Sequence, residues 1–238
     1  MWVYIGTSEL KNAYIGEYTE WRQPWANTLG YYTFDDQDTS QITDFSGNNR
    51  NLTWWNMPTY TLVSWTNYAW VFSNVSSSNA APSYSYWPMN WNYTILCWVK
   101  PTANTASYVN IFHASQWWRA LHQISLIRGY NSWQFEYFDD LSSWATKRTS
   151  IKTWASLNTW YLVGYTRSWT SVKTYCDWVN TNSIIGQVST YQKIFYLWSA
   201  NVWGRFPWEI WECVVEDKVR TAEQRASYYN QTKANYWL

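Results

Sequence analysis

Apolar and polar residues alternate along most of the chain in short runs, and clusters of turn-forming residues separate them. The clearest run is Tyr93 to Pro101. Ile95, Cys97 and Val99 fall on one side of it and Leu96 and Trp98 on the other, and Pro101, which cannot donate to a ladder, closes it. Apolar residues on both sides predict an interior strand of a two-layer β structure. Further strands are predicted over 29–34, 52–53, 60–63, 69–72, 108–113, 121–127, 133–138, 147–151, 159–166 and 171–177. Near the end the pattern changes. Thr221 with Gln224 three residues later forms a capping box, and a short helix through about Asn230 is expected behind it. Many short strands and one late helix predict an all-β, two-sheet antiparallel sandwich.

Residues 1–27 read differently. Tyr4-Ile5-Gly6 recurs as Tyr14-Ile15-Gly16 around a polar turn, which predicts a small hairpin. A linker containing Pro24 follows. Two strands alone are marginal in water, so the hairpin is expected to pack on an upstream domain, a partner or a second copy. Its wording resembles the Tyr-Ile/Val-Gly hairpins of some phage tail and bacterial surface appendage proteins. The sandwich domain is placed at residues 28–238.

Net charge is +1, with 14% charged residues, so no electrostatic footprint for nucleic acid is visible. No apolar run is long enough to span a bilayer, and residues following Met1 lack the build of a signal peptide. Export, if it occurs, needs a signal upstream of Met1 or a non-classical route. What changes the picture is 23 Trp beside 8 Gly. Many tryptophans stand where turn chemistry asks for glycine: Trp54-Trp55, Trp169 between two strands, and Trp178 after Asp177. An Asp-Gly at 177–178 would be a type I′ hairpin turn, whose central residues need positive φ. Glycine encoded by UGA but read as tryptophan accounts for this pattern; a Trp-rich binding protein is the alternative. Trp98 and Trp160 lie inside apolar strand runs and are expected to be authentic; the other 21 are suspect.

Several phrases, taken in order, resemble laminin-G-like (concanavalin-like) jelly-roll domains. These are the aromatic strand ending in Phe34-Asp35, the turn Asp44-Phe45-Ser46-Gly47-Asn48, and the strand ending Trp98-Val99-Lys100-Pro101. The pair Trp160-Tyr161 to Thr166 and Val172 to Asp177 follows, then Phe206 to Glu212 and the capped helix with Tyr228 or Tyr229. Trp178, Trp198 and Trp208 stand where that family has glycine, and Trp211 where it has an acidic residue. The resemblance implies a jelly roll over about residues 28–232. It also implies a calcium ion between rim loops in some members, for which Asp35, Asp36, Asp44 and Asn48 are the oxygen donors here. Turn capping by the same side chains is the competing reading.

Candidate chemistry is sparse. Glycosidases of this fold use carboxylates at alternate positions of one strand, and no Glu-x-Asp-x-Glu occurs. By simple alternation Glu209 and Glu212 point to opposite faces, and Glu212 and Glu216 share one across Val214. Asp139-Asp140 read as a loop. His113, at a predicted strand end, and His122 lack metal-ligand spacing. Cys97, Cys176 and Cys213 lie in strand-like runs and read as buried single thiols. A bridge between two of them requires adjacent strands. Tyr84, Tyr86, Tyr130 and Tyr137 are the aromatic candidates for a sugar platform that do not depend on tryptophan.

The reading is a non-catalytic module binding a glycan or a surface protein at a cell or virion surface, with no required cofactor, no membrane insertion and no nucleic acid. A structural piece of a phage tail or appendage is the alternative, and a glycosidase of the same fold the third.

Overall fold

The fold is described from a computed structural model over residues 28–33, 41–53, 59–62, 68–72, 81–82, 92–102, 109–116, 119–129, 132–142, 145–185, 194–197 and 208–234. The hairpin and linker expected at 1–27 lie outside these residues. The strands are β1 (Thr28–Thr33), β2 (Gln41–Ile42), β3 (Leu52–Thr53), β4 (Thr59–Leu62), β5 (Tyr68–Phe72), β6 (Ala81–Pro82), β7 (Asn92–Pro101) and β8 (Val109–Gln116). They continue as β9 (Arg119–Gly129), β10 (Ser132–Ser142), β11 (Ala145–Thr153), β12 (Tyr161–Ser168), β13 (Ser171–Cys176), β14 (Val179–Ile185), β15 (Ile194–Leu197) and β16 (Trp208–Glu216). One helix, α1 (Ala222–Ala234), follows.

The result is the predicted antiparallel jelly-roll sandwich. An eight-stranded sheet runs β14-β13-β12-β7-β16-β5-β4, with β1 also on β16, and a five-stranded sheet runs β11-β10-β9-β8-β15. The small sheet β2-β3-β6 places Ile42 and Leu52 in the same core. β7 is interior, between β12 and β16, as its two apolar sides require. Its Ile95, Cys97 and Val99 join Phe135 and Tyr137 of β10 and Ile151 of β11 in the core between the sheets. Aromatic rings tie the layers edge to face: Tyr137 meets Tyr165 at 5.0 Å and Phe135 meets Tyr161 at 5.5 Å between centroids. Gly164 is forced by the approach of β12 to β7, since a Cβ there would run into the Ile95 carbonyl.

The other side of β7 builds a second core. Leu96 and Trp98 are buried together with Trp160, Leu162, Trp211, Val214 and Tyr228. Helix α1 covers this group. The Trp98 indole N–H donates to Thr232 Oγ1 at 3.0 Å, and its ring stacks on Tyr229 at 5.6 Å. Both arms of the capping box form: Thr221 N–H donates to Gln224 Oε1 at 3.0 Å, and Gln224 N–H to Thr221 Oγ1 at 3.3 Å. The helix runs a turn past the expected Asn230, because Thr232 is a fully buried contact of this second core.

Three local readings are corrected. Asp139 and Asp140 sit in β10 rather than a loop, opposite Lys147 and Thr146. An acidic pair across from a basic residue is tolerated in a ladder where sequence punctuation alone suggests a turn. His113 lies within β8 rather than at its end. Glu209 and Glu212 do not take opposite faces. Ile210 pairs Val99 but Cys213 pairs Cys97, so a bulge puts one extra residue in β16 between them. It leaves Ile210 and Cys213 in the core between the sheets, with Trp211 in the helix-side core and Glu212 bonded to the helix.

Candidate functional site

At the edge where β1 leaves the large sheet, the Asp44 turn is a closed hydrogen-bonded unit. Asp44 is buried, and its carboxylate accepts from Tyr31 N–H (3.0 Å), Ser46 N–H (2.9 Å), Ser46 Oγ–H (2.8 Å) and Arg50 N–H (2.9 Å). Gly47 takes φ +84°, which its missing Cβ permits. Asn48 donates its amide to the Thr28 carbonyl at 2.8 Å, and Arg50 donates to the Leu29 carbonyl at 2.9 Å. These contacts are turn capping by Asp44 and Asn48, two of the four residues singled out as calcium donors. Asp35 and Asp36 lie outside the described residues. Among those described, no group of three or more His, Cys, Asp or Glu is placed to hold a metal ion.

The carboxylates of β16 are the residues most relevant to catalysis, and each has a structural partner. Glu209 pairs with Lys100 across the β7 ladder. Glu212 accepts a short hydrogen bond from the Tyr228 hydroxyl of α1, and burial beside that carboxylate pushes the Tyr228 pKa well up. Glu216, fully buried, is held in two contacts by the Arg220 guanidinium, which also lies 4.6 Å from the Tyr228 ring centroid. Arg225 donates to the Arg220 carbonyl at 2.7 Å and lies 3.9 Å from the Tyr175 ring. This is an anchor for the helix: the buried charges are paired or stacked, as burial demands.

Cross-strand register in the five-stranded sheet defines a different set. Tyr137 belongs to the core, and Glu136 beside it is also buried, its carboxylate accepting from the Gln134 side-chain amide. Cross-strand pairing aligns Asn110, Ser125, Glu136 and Ser150 in one row, and Tyr196, His113, Gln123, Phe138 and Arg148 in the next. These rows gather amide, hydroxyl, imidazole, guanidinium and aromatic residue types. Linear spacing could not bring them together, because they come from five strands. Tyr137, a platform candidate from the sequence, is instead fully buried; Tyr84, Tyr86 and Tyr130 lie outside the described residues.

Six tryptophan side chains are described, and they divide cleanly. Trp98, Trp160 and Trp211 are buried. Trp154, Trp169 and Trp178 are 68%, 62% and 44% exposed and have φ of 63°, 50° and 65°. Apart from Gly47, the other described residues with left-handed backbone are Asn49, Asn158 and Asp177, types that tolerate it. Asp177-Trp178 is the two-residue loop between Cys176 and Val179, which are register partners, and both its φ values are positive. That is the type I′ turn expected for Asp-Gly. Trp211, suspect by sequence, belongs with the buried set.

The fold defines a two-sheet β-sandwich of the jelly-roll kind. Among solved structures it is similar to the botulinum neurotoxin serotype D binding domain, with a TM-score of 0.66 at 12% identity, covering 86% of this chain and 51% of that one. It is also similar to the binding domain of Paraclostridial Mosquitocidal Protein 1 (TM-score 0.64, 14% identity, 87% and 52%) and to Trypanosoma rangeli sialidase (0.63, 12%, 88% and 33%). The chain thus spans about half of each toxin domain and a third of the sialidase, and at these identities the likeness speaks to fold alone. No protein-family model and no curated protein matches the chain. No described helix is long and apolar enough to cross a membrane.

Proposed function

We propose that the chain is a non-catalytic recognition module that binds a glycan or a protein partner outside the cell or at a cell or virion surface. The observation that carries this reading is the commitment of the β16 carboxylates. Glu209, Glu212 and Glu216 are engaged by Lys100, Tyr228 and Arg220, two of them under the helix, which leaves them serving structure. Two of the similar folds are binding domains by name, which supports a recognition role without fixing a ligand. The region proposed for contact is the row of the five-stranded sheet that register pairing runs through His113, Gln123 and Phe138. A calcium ion would have to draw on Asp35 and Asp36, because the Asp44 oxygens already serve the turn.

The same reading holds that Trp154, Trp169 and Trp178 are glycine in the protein as its own cell makes it, through UGA read as glycine. Their left-handed backbone supports this, and so does the exposure of three large indoles. A sugar platform built on those tryptophans is therefore not part of the proposal. The test is a glycan array probed with the chain carrying glycine at these three positions. Saturable binding to a restricted set of glycans is expected. Absence of any glycan or protein binder would favour the structural role in a tail or appendage.

A further inference from the structure

We infer that Cys97 and Cys213 form a cross-strand disulfide that staples β7 to β16 when the chain folds in an oxidising environment. The two are direct register partners on neighbouring antiparallel strands and are both fully buried in the core between the sheets. Antiparallel partners have Cα atoms about 4.5–5.5 Å apart, inside the roughly 4.4–6.8 Å range that a disulfide spans. In the structure all three cysteines are free, buried thiols, as expected from the sequence, so the bridge is a product of oxidation. The β16 bulge creates the pairing. Continuing the Val99–Ile210 register without it would set Glu212, not Cys213, against Cys97.

The third cysteine is excluded by the same geometry. Cys176 pairs with Val163, and Val163 with Cys97, so two strand spacings, about 9–10 Å, separate Cys176 from Cys97. That is too far for a bridge. Chemically, one thiolate attacks a small-molecule disulfide such as oxidised glutathione, forming a mixed disulfide and releasing one thiol. The second cysteine, deprotonated, displaces the remaining glutathione thiolate. The protein loses two electrons and two protons, and the oxidant becomes two thiols. Since both sulfurs are sealed in the folded core, the exchange belongs to folding rather than to the finished protein.

The test refolds the full chain in a glutathione redox mixture, then unfolds it and alkylates with and without prior reduction, with peptide mapping. One reactive thiol, mapped to Cys176, is expected before reduction, and all three cysteines of the chain after it. The Cys176→Ala variant should then show none before reduction and two after. Three free thiols before reduction, or a bridge containing Cys176, would overturn the inference. A separate reading guards against scrambled bridges: the oxidised protein should melt several degrees above the reduced one, and an equal or lower melting temperature also overturns it.

Discussion

Trp178 and Trp98 carry the same side chain in opposite circumstances. At 178 the indole is 44% exposed on a left-handed backbone, a combination that costs about 1–3 kcal/mol over glycine in strain. Glycine returns about 0.5–1 kcal/mol of that through unfolded-chain entropy, so a net gain of about 1 kcal/mol per position remains. Replacing Trp154, Trp169 and Trp178 together by glycine should therefore raise the thermal midpoint, and a fall would contradict the assignment. Trp98→Gly should do the reverse, lowering the urea-derived stability by ~3 kcal/mol or more through an unfilled cavity beneath α1. Asp177 gives a pH-dependent case. Burial raises its pKa, against the opposing effect of the Leu162 N–H bond at 3.1 Å. A carboxyl whose pKa is raised on folding is penalised for ionising: the penalty is absent below its unfolded pKa and complete above its folded one. Asp177→Asn keeps the left-handed turn, so it should shift the urea midpoint upward near neutral pH, with the gain fading on acidification. At this scale the sequence was legible where one residue violated turn chemistry, as at 178. At Trp211 the extra residue of the bulge turns the side chain into the helix-side core, a placement that plain alternation with Cys213 and Val215 does not give.

Strands with apolar residues on both sides, such as β7 and β12, could be read directly, since their composition reflects two buried faces. β2 and β6, two residues each, carry too few positions for any period to appear. β14 is polar and exposed over Asn180 to Ser183 and is fixed by its hairpin with β13 rather than by its own pattern. The helix start was legible from its capping box, whereas its end depends on Thr232 meeting Trp98, a tertiary contact. The cap should matter independently of that contact: Thr221→Ala removes the hydroxyl that accepts from Gln224 N–H and should cost about 1 kcal/mol in chemical denaturation. An unchanged midpoint would mean that packing alone holds α1 in place. The same helix takes Glu212 and Glu216 as anchors, which is how an element decides what a carboxylate can do.

For the molecule as a whole, the helix covers one sheet with paired buried charges, and the proposed contact region is a row of the other. The sandwich was legible because strand spacing, apolar alternation and the late capped helix all point to one architecture. The contact rows were not, since Tyr196, His113, Gln123, Phe138 and Arg148 come together only through cross-strand pairing. The central claim is recognition without turnover. It is tested most directly by titrating the chain with an array-positive oligosaccharide in a calorimeter and recovering the sugar for mass analysis. A saturable heat with the oligosaccharide recovered intact is the predicted result. Shortened product that accumulates with time would contradict it, because one of the carboxylates assigned to structure would then be free to act as an acid or base.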